Sequence, residues 1–288
     1  MDERAALAML SDELHHAGDD AAVIDGCVLT TDMLHETTDF PRGTTRYTAG
    51  WRAVGASLSD VAAMGAEAVA AVAVYAAPEF DDEELGAFVR GASEVCGAVG
   101  AEYVGGDLDT HEEFTVATTA LGRVEEPVLR SGAVVGELLC VTGTLGRSAA
   151  GLEAFETGER DRGNELFRFT PRVEAGRALA GRASAMMDSS DGLARSLHQL
   201  SEASGCGFAI EREALPIDDA LYEFAPERAE ELAVTFGEDF ELVFTIPDER
   251  LEAVGSGTGT PISVIGETTG EGITMGGDPL ADRGYTHE

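Results

Sequence analysis

Between residues 18 and 124, short apolar runs of strand length alternate with longer stretches of helical apolar spacing, and this alternation restricts the fold more than any other feature. AVAAVAVY (68–75) reads as a strand. It lies between WRAVGASLSDVAAMGA (51–66), a helix with Gly65 as its stop, and DEELGAFVRGASEVCGAVG (82–100), an amphipathic helix closed by glycine. VIDGCVLTTDM precedes them, with a turn expected at Asp25-Gly26. EYVGGDLD follows as a strand running into a glycine turn, then FTVATTALGRV (114–124) as another strand. The pattern predicts an α/β domain. AEAVAAVAVYAAP, the longest apolar stretch, is short and interrupted by Glu67, so it reads as a buried strand and not a membrane span.

VLRSGAVVGELLCVTGTLGRSAAGL (128–152) opens a second half, and the boundary is placed at residue 126, dividing the chain into 1–126 and 127–288. ETGERDRGNELFRFTPR reads as a polar surface excursion. SAMMDSSDGLARSLHQLSEASG (184–205) reads as strand, loop and helix, with Leu193, Leu197 and Leu200 on one face and Asp191 as N-cap. FGEDFELVFTI and ISVIGE are later strands.

Charge then narrows the function classes. The net charge is −35, and all 19 basic residues are arginine. Nucleic acid and anionic membranes would repel such a chain. The acidity reads as a surface adapted to strong salt, so carboxylates alone do not mark a site. A chain without lysine has no G-x-x-x-x-G-K-[ST] phosphate loop. GSGTGT (255–260) reads as a flexible turn, and GTLGRSAAG (143–151) as a helix start. The six histidines show no metalloprotease spacing. Cys27, Cys96, Cys140 and Cys206 lack C-x-x-C spacing and read as reduced, buried residues of a cytoplasmic protein. No basic region precedes the first apolar residues, so no signal peptide is expected.

What remains is a set of aspartates at expected strand ends and turns: Asp19, Asp20, Asp32, Asp60, Asp107, Asp188 and Asp191. Most have a structural explanation as turn or cap residues. Asp60 is harder to dismiss, because an ionised group inside the apolar LSDVAAMGA helix is costly unless paired or metal-bound. Oxygen-rich sites of this kind suit Mg²⁺, with Thr30 and Thr31 as added hydroxyl or backbone ligands. Such a site supports phosphoryl transfer, which needs positioning and charge neutralisation more than covalent help.

Together GDDAAVI, TTDML, GWRAVGASLSDVAAMGA, GGD, TALG, LRSGA, VTGTLGRSAAGL, MMDSSDGLARSL, GEDFELVFT and the terminal GYTH closely resemble the thiamine-monophosphate kinases. These belong with aminoimidazole ribonucleotide synthetase and selenophosphate synthetase in one superfamily. The resemblance implies a two-domain fold, an α/β domain with a mixed sheet followed by an α+β domain, and a homodimer formed through N-terminal strands. It implies transfer of the ATP γ-phosphoryl group to thiamine monophosphate with several Mg²⁺ ions. By motif, Asp20, Thr30, Thr31, Asp32, Asp60, Asp107, Asp188 and Asp191 match metal ligands; Gly106, Asp107, Arg130 and Ser190 match ATP contacts; Glu238 and Tyr285 match substrate contacts. Arg130 suits phosphate because its planar fork meets two oxygens at once. No general base is required, since the acceptor phosphate is already ionised.

One stretch departs from the pattern. Where the family carries a substrate-contacting histidine in TDMLVEGVHF, this chain reads TDMLHETTDF, so Asp39 takes that place and His35 lies four residues earlier. Two other readings stay open: another ATP-dependent enzyme of the superfamily, such as a ribonucleotide synthetase or a hydrogenase-maturation protein, and a non-catalytic ATP-binding homologue.

Overall fold

The computed structural model describes residues 14, 16–254 and 257–284. Asp25 and Gly26 both have positive φ, 51° and 76°, the geometry of a two-residue hairpin turn. They join β1 (Ala22–Ile24) to β2 (Cys27–His35). After the short helix α1 (Glu36–Asp39) come α2 (Arg46–Ala63), β3 (Glu67–Ala77), α3 (Asp82–Ala98), β4 (Glu102–Thr110) and β5 (Thr115–Arg123). The strands form one mixed sheet in the order β1-β2-β5-β3-β4, parallel only between β3 and β4.

Helix α2 is the centre of the molecule, and its small residues explain how. Only Arg46, Tyr47, Trp51 and Asp60 escape full burial along it. It crosses α3 at two glycines: a Cβ on Gly50 would lie 2.2 Å from the Phe88 carbonyl oxygen, and one on Gly91 2.0 Å from that of Tyr47. Two backbones approach this closely only where side chains are missing. One face of the sheet packs on α2. The opposite face leaves Leu29, Met33, Val72 and Val74 exposed, with Val104 and Leu108 on the edge strand. AVAAVAVY is therefore fully buried only at Ala68, Ala71, Ala73 and Tyr75, rather than throughout.

The second half comprises β6 (Leu138–Thr142), α4 (Arg147–Glu156), α5 (Arg160–Phe167), α6 (Val173–Leu179), β7 (Ala185–Asp188), α7 (Leu193–Ser204), β8 (Gly207–Ile210), α8 (Asp219–Phe224), α9 (Ala229–Thr235), β9 (Leu242–Ile246), α10 (Asp248–Val254), β10 (Ile262–Thr269), β11 (Ile273–Met275) and β12 (Asp278–Pro279). Its sheet runs β12-β11-β8-β10-β6-β9-β7, and only the β8/β11 pair is parallel. Helices and mostly antiparallel strands are mixed here, the α+β arrangement expected. Leu193, Leu197 and Leu200 are buried on α7 as their spacing predicts.

Several local expectations are corrected. The GGD segment does not turn. Gly105 and Gly106 lie inside β4, where a Cβ on Gly106 would stand 1.7 Å from the Ala73 carbonyl oxygen of β3. ETGERDRGNELFRFTPR is not a surface excursion, because α5 buries Asn164, Leu166 and Phe167. FGEDFE precedes β9 as a strained turn, with φ of 81° at Gly237, 63° at Glu238 and 53° at Phe240. Asp191 is not the N-cap of α7; Gly192 is, without a side-chain cap. Cys27 is exposed, while the other three cysteines are buried and all four are free. GSGTGT lies partly outside the described residues.

Candidate active site

Three carboxylates from distant parts of the chain meet at the end of α2. Asp20 comes from the loop before β1, Asp60 from the last turn of α2, and Asp188 from the end of β7. One oxygen of each lies within 4.8 Å of the others. The Asp20 and Asp188 side chains are almost wholly buried, each about 1 % exposed. Burial, and then the charges of Asp32, Asp188 and Asp20, hold the Asp60 carboxyl well above its ordinary range. Burial and then Asp20 push Asp188 up to about 8. Such shifts mark a site short of positive charge.

Each carboxylate is nevertheless held in place. Arg130 donates to Asp20 through Nε at 3.2 Å and Nη2 at 3.0 Å, and its backbone N–H donates to Asp19 at 2.8 Å. Thr30 donates to Asp60 at 2.5 Å, and Ser59 to Asp188 at 2.6 Å. Ser57 donates to Asp32 at 2.6 Å and also meets the Thr118 hydroxyl. Burial raises Asp32 as well, with Ser57 opposing. Alternation along β2 puts Thr30 and Asp32 on the face toward α2. Thr31 points the other way, and its hydroxyl donates to the Thr118 carbonyl at 2.8 Å. Its side chain does not join the cluster.

Gly106 and Asp107 are not brought to the cluster within this chain. Asp32, Thr118, Ala73 and Gly106 form one row across the sheet, so β2 and β4 stand three strand spacings apart, about 14 Å. Asp107 is exposed and accepts from the Leu108 N–H. Ser190 and Asp191 lie in the loop after Asp188. That loop is tied to the strained turn: Glu238 N–H donates to the Ser190 carbonyl at 2.6 Å, and Phe240 N–H to that of Ser189 at 3.2 Å.

Through this tie the carboxylate cluster adjoins a cleft of about 830 Å³ between α1 with the loop after it and helices α4, α5 and α9. Asp39 and Glu238 both line it, as do Arg42, Arg46, Arg228 and Arg283. Tyr285 lies outside the described residues. The GEDFEL carboxylates divide their tasks. Glu238 pairs with Arg52 at 2.5 Å, Asp239 accepts from the Gly146 and Ser148 N–H groups that open α4, and Glu241 binds Arg172 bidentately at 2.5 and 2.7 Å. Burial outweighs the two N–H donors at Asp239 and pushes its carboxyl up to about 7.

Sequence reasoning missed Ser57, Ser59 and Arg52, the polar residues of α2 that hold the acids. Their signal was present, since a hydroxyl or guanidinium inside a buried apolar helix needs a partner. It missed the cleft arginines because no local pattern links residues 42, 46, 228 and 283.

The model of the AIR synthase related protein, N-terminal domain, matches residues 18–124, and that of the AIR synthase related protein, C-terminal domain, matches 134–276. A thiamine-monophosphate kinase of Halobacterium salinarum is 59% identical over 289 residues, covering 100% of both chains. The chain belongs to the thiamine-monophosphate kinase family. A second such kinase, from Methanospirillum hungatei, is 41% identical and covers 93% of this chain and 92% of its own. Among solved structures, AaThiL complexed with AMPPCP and TMP superposes with a TM-score of 0.91 at 29% identity, covering 100% of this chain and 97% of that one. Within this thiamine-monophosphate kinase family member, His35 does not stand in at position 39. Its ring meets Thr115 at 3.1 Å and faces Glu113, while the Asp39 carboxylate accepts from the His35 N–H at 2.7 Å and the Thr38 hydroxyl at 2.8 Å.

Proposed function

We propose that this chain transfers the γ-phosphoryl group of ATP to thiamine monophosphate, giving thiamine diphosphate and ADP. The observation that carries the reading is the convergence of Asp20, Asp60 and Asp188, with the loop after Asp188 tied through Glu238 to a cleft of about 830 Å³. Three hard oxygen donors with too little positive charge around them suit Mg²⁺. Asp20, Asp60 and Asp188 would hold the ion, with Thr30 and Asp32 beside them and Asp191 in the adjoining loop. Bound magnesium supplies charge neutralisation for the phosphate oxygens. The chain's own residues do the rest. Arg130 and the Ser190 loop orient the ATP phosphates, while Glu238, Asp39 and Tyr285 receive the thiamine moiety, whose thiazolium ring is cationic and suits carboxylate neighbours. The solved relative complexed with AMPPCP, an ATP analogue, and TMP supports this pairing of ligands.

In this reading the active unit is a homodimer, with the exposed apolar face of the first sheet covered by a second copy. Gly106, Asp107 and Thr31 lie toward that face or its edge, so their proposed roles in ATP and metal binding belong to the assembled dimer. The division at residue 126 places one sheet in each domain. A cytoplasmic, salt-adapted setting is supported by the free cysteines, the charge of −35 and the likeness to the Halobacterium protein. Among the described residues no helix is long and apolar enough to cross a membrane.

The deciding experiment incubates the chain with ATP, Mg²⁺ and thiamine monophosphate from low to molar KCl. Equal amounts of thiamine diphosphate and ADP are expected, and their loss in Asp60→Asn. Folded protein that makes no thiamine diphosphate at any salt concentration would end this reading. ADP formed only with another acceptor would point to a different enzyme of the superfamily.

A further inference from the structure

Arg52 is the one arginine of the described chain that is fully buried, at 0 % exposure. Its planar fork reaches three separate segments. Nη2 donates to the Glu238 carboxylate at 2.5 Å and to the Glu238 carbonyl at 2.9 Å, while Nη1 donates to the Phe167 carbonyl at 2.6 Å and meets Ser148 at 3.4 Å. The guanidinium lies 3.6 Å above the Phe167 ring, and its Nε has no hydrogen-bond partner.

This is an expensive way to fill space. Burying a guanidinium is costly, and an apolar residue of similar volume on Phe167 would serve stability as well. An unsatisfied N–H adds to the cost. What the charged fork alone provides is control of Glu238, a non-glycine residue in the left-handed region that persists only where its surroundings determine it. Ser148 donates to the Glu238 carbonyl at 2.6 Å, and the Glu238 N–H ties to Ser190. The ion pair engages Oε2 alone, and the Glu238 side chain stays 26 % exposed beside the cleft that Phe167 also lines.

We propose that Arg52 is a positioning residue for the acceptor site: it presents the Glu238 carboxylate to a cationic heteroaromatic ring and couples that wall of the cleft to the loop carrying Asp188. The inference rests on the proposed kinase reading and deepens it. Arg52 touches no substrate; it acts through Glu238.

The test compares the native chain with Arg52→Gln, Arg52→Lys, Glu238→Gln and the Arg52→Gln/Glu238→Gln pair, measuring kcat, both KM values and melting temperature. Arg52→Gln is expected to raise the KM for thiamine monophosphate about tenfold while the KM for ATP moves less than about twofold. Arg52→Lys, which keeps the charge but loses the fork, should raise the acceptor KM about threefold. The double variant should be no worse than Glu238→Gln alone, because both changes remove one interaction. A role in stability alone would lower the melting temperature and leave the acceptor KM unchanged in Arg52→Lys, which also serves as the test if Arg52→Gln does not fold. That result, or fully additive effects in the double variant, overturns the inference. A native chain that makes no thiamine diphosphate overturns the kinase reading itself, and this inference with it. An active native chain with silent Arg52 variants overturns this inference alone.

Discussion

At the scale of single residues, the site is a balance between burial and hydrogen bonding. Ser59 occupies one oxygen of Asp188 and so aims the carboxylate at Asp20 and Asp60. Groups that orient a metal ligand typically contribute 10- to 100-fold in affinity, so Ser59→Ala should weaken the proposed Mg²⁺ binding by roughly that factor in calorimetric titration. An unchanged affinity would show that Asp188 needs no such support. Asp239 makes a separate prediction about pH. Its folded carboxyl, pushed up to about 7 from an ordinary value near 4, keeps its proton where the unfolded chain has lost it. The folded state thus binds more protons between about pH 4 and 7, and stability falls as pH rises through that window. Asp239→Asn should flatten this part of the melting-temperature profile. A profile parallel to that of the native chain would show that Asp239 does not titrate in the window.

At the scale of elements, α2 decides the architecture. Its alanines, glycines and serines let α3 cross at Gly50 and Gly91, and let α6 approach so closely that a Cβ on Gly176 would lie 2.1 Å from the Ala62 carbonyl oxygen. The same helix delivers Arg52, Ser57, Ser59 and Asp60 to the site. Gly91→Ala should cost at least about 1–3 kcal/mol, because the contact is backbone and cannot step aside. Chemical denaturation would measure it, and a loss below about 0.5 kcal/mol would mean that the two helices slide apart freely. The GEDFEL turn is the second such device: its three carboxylates pin α2, the start of α4, and Arg172 before α6.

At the scale of the whole molecule, two properties dominate. A net charge of −35 destabilises the compact state by self-repulsion, and molar salt shortens the screening length to about 3 Å. The melting temperature should therefore rise steeply from low to molar KCl; a flat profile would mean that local pairing already neutralises the surface. The apolar face of the first sheet is the other property. Val74→Asp places a charge in the middle of it and should convert the proposed dimer to monomer in sedimentation at molar KCl. A variant that sediments like the native chain would remove that face from the interface.

Much of this was legible in the residues. Period-two and helical patterning located the strands and helices of the first half, Asp25-Gly26 marked the hairpin, and Asp60 in an apolar helix marked one member of the carboxylate cluster, because each signal is local and has one inexpensive solution. The family motifs carried the same reading to Asp20 and Asp188. Other features depended on chain segments far apart. That Asp20, Asp60 and Asp188 meet, that Thr31 faces away from them, and that Asp107 stands three strands off are matters of register and sheet order. The GGD glycines read as a turn because glycine permits one; only the Ala73 carbonyl beneath Gly106 shows that they serve a close backbone approach inside a strand. Residues 160–167 read as surface because they are polar, yet Asn164 is buried by its bonds to Thr45 and Gly43, 119 and 121 positions away. Sequence by itself determined most elements of the first half and the acidic chemistry, since these follow from local sterics and side-chain type. Tertiary structure alone decided which acids converge and what Arg52 holds, because burial and pairing are set by partners that no local pattern names.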